Sequence, residues 1–229
     1  MIQPQIDLLL GHFGKDVNEI VQAKQEYYAR TGGEVHEDDR CYEQRTQAFF
    51  NWFLFDRRKG DSTLVERFLR ERGAELPGRD KEVLMGCTQS RLSLYEFRGQ
   101  GSLFSRAGKG QVAIRDVITG VKYNVNERRH MHGLEVGDLF EARLVPVERQ
   151  WHFSSSFNYL PREVTETIER EIKRRKKAGT LDARELVWDL ERMTLQHERF
   201  KNVAIENIFN FKTPFLSKRP KDGEAESRE

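Results

Sequence analysis

Cysteine is close to absent. Cys41 and Cys87 are the only two in 229 residues, too few for a disulfide framework and too far apart for a metal knuckle. Long apolar runs are missing as well: no stretch approaches the roughly 18–20 consecutive apolar residues that a membrane helix needs. The first ten residues lack the basic start, apolar run and cleavage signature of a secretory signal, so the cytoplasm is the expected compartment. Neither sign of charge is in excess, with 39 Lys and Arg against 37 Asp and Glu, whereas a bulk polyanion binder shows a clear basic surplus. No P-loop, G-x-G-x-x-G or G-x-S-x-G motif is found in its structural context, which argues against the common nucleotide and acyl-transfer sites. No repeat occurs at a solenoid period.

What is present is a strongly ionic chain. Charged residues make up 33% of it and hydrophobic ones 37%, against about 25% charged in ordinary globular proteins. The length suits one large domain or two small ones. Residues 15–30 place Val17, Ile20, Val21, Lys24, Tyr27 and Tyr28 three to four apart, as an amphipathic helix does, and Thr31-Gly32-Gly33 ends it. The segment 37–56 begins acidic and closes in FFNWFLFD, where Phe49, Phe50, Trp52, Phe53, Leu54 and Phe55 fill six of seven positions. Such density requires cover on several sides, from the rest of the chain or from a partner. Thr63 and Glu66 have capping-box spacing ahead of a short helix over 63–71, stopped by Gly73. Another helix is expected over about 79–90.

From Leu92 the periodicity changes to the alternation of strands. Five runs stand out, at 91–98, 111–117, 121–126, 138–147 and 150–157, with Thr119-Gly120 and Glu148-Arg149 at hairpin positions. Five short antiparallel strands in this length suit a small barrel or a strongly curled sheet. After Pro161, Val164, Ile168 and Ile172 form a narrow helical stripe, and a last helix is expected from Asp182 to about Asn207 with Asp182 as its N-cap. The expected class is therefore α+β: a helical segment 1–90, a β module 91–160, helices over 161–216 and a disordered tail 217–229.

Candidate chemistry is sparse. His130 and His132 form an H-x-H pair that would share one face of a strand, and His152 could approach them in a closed barrel, but a full zinc ligand set is lacking. Glu37, Asp38, Asp39 and Glu43 could hold a divalent ion, although acids at a helix start are favoured by the dipole alone. Neither cysteine has a nucleophile's companions. No metal, cofactor or catalytic residue is expected on these grounds. The strongest basic run is 170–177, containing Lys173, Arg174, Arg175, Lys176 and Lys177. It could dock phosphates beside a barrel whose Tyr95, Phe97, Phe104, Tyr123, Trp151 and Phe153 offer stacking faces, or it is a solvated helix end whose charge suits the dipole.

Several strings taken together resemble a loose group of uncharacterised bacterial cytosolic proteins. They are Phe50 to Asp56, Thr63-Leu64, Phe68-Leu69, Ser93-Leu94-Tyr95-Glu96, Asp116 with Thr119-Gly120, Gly137-Asp138 and Ala142-Arg143-Leu144, covering roughly residues 42–160. Some members of that group end in a SEC-C zinc motif; this chain has no Cys-x-Cys or His-Cys pair near its end, so no metal site carries over. The resemblance implies a helical segment leading into a β-rich module.

Two functions follow as expectations. The first is a non-catalytic cytosolic regulatory or interaction protein that holds another protein through Phe49, Trp52 and Phe53 or through Leu186, Leu190 and Met193 on the last helix. The second is RNA or single-stranded DNA binding through Lys173, Arg174, Arg175, Lys176 and Lys177, with Tyr95 and Trp151 as stacking faces. An enzyme is the weakest of the options, because no nucleophile, base and orienting group converge in the sequence.

Overall fold

The computed structural model describes residues 2–101 and 108–215. Phe104 and the tail 217–229 lie outside the described residues. Among those described, eight helices and seven strands give an α+β architecture. The helices α1 (Gln3–Phe13), α2 (Val17–Arg30), α3 (Tyr42–Phe55), α4 (Leu64–Arg72) and α5 (Gly78–Thr88) form one layer, with a two-stranded ribbon of β1 (Arg58–Lys59) and β2 (Ser62–Thr63) between α3 and α4. The capping box is formed: Thr63 Oγ1 accepts from the Glu66 amide and Glu66 accepts from the Thr63 amide. Helix α1 is an addition to the sequence expectation. Pro4 sits in its first turn, where no amide is needed, and Ile6, Leu9 and Phe13 are buried along one stripe. Helix α3 starts at Tyr42 rather than at the acids 37–39, which precede it outside any helix.

Strands β3 (Arg91–Gln100), β4 (Gln111–Asp116), β5 (Lys122–Asn126), β6 (Leu139–Val147) and β7 (Gln150–Tyr159) close into a barrel in the order β3-β4-β5-β7-β6. Its interior is filled by Tyr95, Phe97, Ile114, Tyr123, Val125, Phe140, Leu144 and Phe153. The expected all-antiparallel sheet is corrected at one seam. The loop after β5 carries the chain across the barrel end, so β6 pairs with β3 and β7 closes against β5 in parallel, through Val125 and Trp151. A three-stranded meander closed by a hairpin in this way is the connectivity of the five-stranded Greek-key barrel that hosts oligonucleotide- and oligosaccharide-binding sites.

A short 3-10 turn at Arg162–Val164 leads into α6 (Thr165–Lys177), followed by α7 (Ala183–Arg199) and α8 (Ile205–Ile208). The single helix expected over 182–207 breaks after Arg199, although neither Gly nor Pro occurs there. The break lets Ile208 and Phe209 fold back into the core shared by α6, α7 and the outer barrel residues Leu94 and Leu139. A second core joins α1–α5 to Val145 of the barrel and to Trp188 and Leu195 of α7. Helix α7 thus belongs to both.

Candidate functional site

Most of the predicted protein-contact residues are interior. Phe49, Phe53, Leu186 and Leu190 have no exposed surface, Met193 is 1% exposed and Trp52 7%. The question of core or interface for segment 49–55 resolves as core: Phe49 stacks on Phe53 and Tyr28 within the helical layer. These two sets of residues are spent on the interior and present almost nothing to a partner of the folded chain.

The predicted nucleic-acid residues fare unequally. Tyr95 is fully buried inside the barrel, while Trp151 is half-buried at its end, edge-on to Tyr123. A purely inward-facing ring has no face for a base, so Tyr95 cannot stack one. On α6, Arg174 and Arg175 turn back onto Glu171, and Arg175 also reaches Asp189 at 2.7 Å. Lys173, Lys176 and Lys177 are exposed and have no ion pair among the described residues.

His130 and His132 lie in the loop between β5 and β6 instead of on a strand, with rings stacked at 4.5 Å. His152 lines a separate depression of about 400 Å³ with Glu127 and Arg79, and burial holds its imidazole below the usual histidine range. Among the described residues no group of three His, Cys, Asp or Glu side chains is placed to hold a metal. Asp39 accepts from the His36 amide and pairs with Arg199 at 2.8 Å, which accounts for one acid of the 37–43 cluster without an ion. Both cysteines are buried; burial pushes the Cys87 thiol up to about 12, opposite to a reactive thiolate.

Polar groups converge at a cleft of about 620 Å³ between the ends of α2 and α3, the start of β3, the β4–β5 turn and the first turn of α7. Asp56, Ser93, Asp116, Thr119 and Arg143, all within the strings that carry the resemblance, meet at or directly behind it. Asp116 Oδ1 accepts from Ser93 Oγ at 3.0 Å and from the amides of Ile118 and Thr119, which fixes the β4–β5 turn on the cleft wall. Arg143, 1% exposed, pairs with Asp56 and donates to Ser90 Oγ at 2.9 Å; its Nε has no partner among the described residues. Arg184 on the rim reaches Asp56 at 3.4 Å.

Two further arginines line the cleft and are held differently. The Arg30 guanidinium lies over the Trp188 ring at 4.7 Å, and that of Arg91 over Trp151 at 5.6 Å, with Arg91 Nη1 also donating to Tyr123 Oη. Neither pairs with a carboxylate among the described residues. Stacking on an indole orients a guanidinium and leaves its edge N–H groups open to an acceptor.

One turn further along α7 lies a sealed polar network. Glu191 accepts from Tyr27 Oη with both oxygens, at 2.7 and 2.8 Å, and also takes a hydrogen bond from Glu141 of β6. Arg45 donates to the Glu191 carbonyl and to Thr31. Burial, then the charge of Glu191, holds the Glu141 carboxyl far above the usual range. Burial raises Glu191 as well, against the pull of Arg45 and Tyr27. Both carboxyls are therefore shifted toward protonation, Glu141 further than Glu191.

Sequence reasoning missed Arg30, Arg91, Glu141, Trp188 and Glu191 as well as the role of Arg143. A signal existed for two of them: Leu139, Glu141, Arg143 and Val145 share the outer face of β6, and charges flanked by apolar residues on one strand face mark a covered face. No curated protein and no solved structure matches the chain. A family model matches residues 15–186, spanning most of the helical layer, the whole barrel and the first turn of α7, and the chain belongs to that family, a family of unknown function (DUF7986).

Proposed function

We propose that this is a non-catalytic cytosolic binding protein whose partner is another protein, engaged at the cleft between the helical layer and the barrel. The observation that carries this reading is the cleft itself. It is built from all three stretches of the chain, and its polar groups are fixed in place by internal hydrogen bonds instead of being aimed at one reacting atom. The resemblance to bacterial cytosolic proteins supports the compartment. Purification of the tagged chain from its native cytosol, with and without nuclease, tests the reading. A stoichiometric protein that survives nuclease and is lost on Arg30→Gln with Arg91→Gln or on Arg184→Glu supports it; nuclease-sensitive material absorbing at 260 nm counts against it.

RNA or single-stranded DNA binding is the second reading, favoured by the Greek-key strand order and by the exposed Lys173, Lys176 and Lys177. Replacing these three by Gln is expected to lower the slope of log affinity against log salt by about two to three, near one for each phosphate no longer neutralised.

A further inference from the structure

We infer that the outer face of β4 and β5 docks an extended acidic segment of the partner protein. This deepens the reading given above and rests on it: the β4–β5 turn on the cleft wall runs directly into Lys122, so the face continues from the cleft. Helices α7, α5 and α3 pack against β3, β6 and β7, whereas the outward side chains of β4 and β5 are exposed or half-buried. The register sets those side chains in three cross-strand rows, Arg115 beside Lys122, Ala113 beside Asn124 and Gln111 beside Asn126. Asn126 also donates to Gln150 Oε1 at 2.9 Å, which carries the amide row onto β7. None of these residues is acidic.

Charge on this face is unbalanced. Arg98 and Arg115 share Glu96, Arg115 also reaches Glu169 at 3.8 Å, and Arg129 takes Glu127. Lys109, Lys122 and Arg128 are exposed and have no such partner among the described residues. Arg115 directly opposite Lys122 is a like-charge pair, which destabilises a sheet and is relieved by an anion laid across it. At the other end of the strands, Lys109, Arg128, His130 and Gln100 line one depression of about 700 Å³, with the Arg128 side chain against Gly110. No acid lines it among the described residues, and residues 102–107 contain none.

Length and surface chemistry decide the class of occupant. The Arg115–Lys122 row lies four residues from the Gln111–Asn126 row, beyond which stand Lys109 and Arg128. That separation is roughly 13 Å at about 3.3 Å per residue, the distance an extended peptide spans between acids at i and i+4. The amides between the two cationic ends each present a donor and an acceptor, as a peptide group does. A single-stranded nucleic acid stacks its bases on aromatic faces, and the one ring on these two strands, Tyr123, belongs to the barrel interior.

The full chain, labelled with nitrogen-15, is titrated with a terminally blocked peptide carrying two Glu four positions apart among Gly and Ser, with the same peptide carrying Gln, and with an oligodeoxythymidylate. Saturable shifts of the Asn124 and Asn126 side-chain amides and of the β4 and β5 backbone are expected from the Glu peptide, weakening with added salt. Lys109→Gln, Lys122→Gln and Arg128→Gln together are expected to weaken binding at least about fivefold. Because all three positions are exposed, the melting temperature of this triple variant is expected to stay that of the parent chain. Equal binding of the Glu and Gln peptides, or no effect of the triple variant, overturns the proposal. Saturation of the same signals by the oligonucleotide without saturation by the Glu peptide overturns the choice of an acidic peptide. In the purification from cytosol, a protein partner kept by the triple variant and lost on Arg184→Glu defeats this face while leaving the binding function standing. Binding of the Glu peptide with no cellular partner does the reverse.

Discussion

Glu141 of the barrel and Glu191 of α7 meet carboxyl to carboxyl in the interior, with Tyr27 of α2 donating to the Glu191 side. Three stretches of chain are thereby joined at one buried carboxyl pair. Folding favours the protonated Glu141, so its contribution is complete below the ordinary glutamate range and is lost as pH rises through the raised value. Glu19 beside Lys59 and Arg57, Glu26 beside Arg57, and Glu171 beside Arg174 are held below 4.5, so their contribution is present above that value and lost as pH falls. Stability measured by urea unfolding is therefore expected to rise as pH climbs through the acid range and to decline as pH passes above the ordinary glutamate range. Glu141→Gln should remove that decline and leave the acid limb intact. An unchanged decline would refute protonation of Glu141 in the folded state.

Arg143 is the fully buried cation of the cleft wall, facing Asp56 and Ser90. Arg143→Ala should cost about 3–5 kcal/mol, because it strands Asp56 with only the rim arginine. Arg143→Met combined with Asp56→Leu is expected to recover most of that loss, since a matched apolar pair often equals a buried ion pair. A double variant no better than the single would show that the arginine acts through something other than its pairing.

The β6–β7 hairpin turns through Glu148 and Arg149, both at positive φ, 49° and 61°. Non-glycine residues in this region cost about 1–2 kcal/mol each, and Asn-Gly is the pair that such two-residue turns prefer. Glu148→Asn with Arg149→Gly should raise stability by about 1–2 kcal/mol in thermal unfolding. A lower melting temperature would mean that the native side chains hold the turn.

The buried Cys87 thiol, pushed up to about 12, should resist alkylation at pH 8 at least about a thousandfold relative to a free thiol, with a rate set by unfolding. Fast labelling in the native state would indicate local opening of α5 away from β6.

Periodicity exposed much of this fold, and its failures have physical causes. The strands and the Thr63 cap were legible because alternation and capping are local patterns. Parallel closure at Val125 and Trp151 was not, because it depends on where a long loop crosses the barrel, which no local pattern encodes. The end of α7 was hidden because tertiary burial of Ile208 and Phe209, instead of a breaker residue, terminates the helix. Amphipathic faces on α3 and α7 were visible, but a face alone does not say whether a partner or the same chain covers it; Leu186 and Leu190 are covered by the chain itself. The cleft was the least legible part. Arg30 and Arg91 look like any surface arginine until tertiary structure places Trp188 and Trp151 beneath them.

The Tyr27–Glu191 hydrogen bond joins positions 164 apart in the chain. At about 5–20 residues per second, the ribosome delivers Glu191 roughly 8–33 s after Tyr27. Throughout that interval the neighbouring aromatic segment of α3 lacks its full cover from Val145, Trp188 and Leu195. Exposure of Phe49, Trp52 and Phe53 is therefore expected of the nascent chain alone, where unburied apolar surface invites chaperone contact.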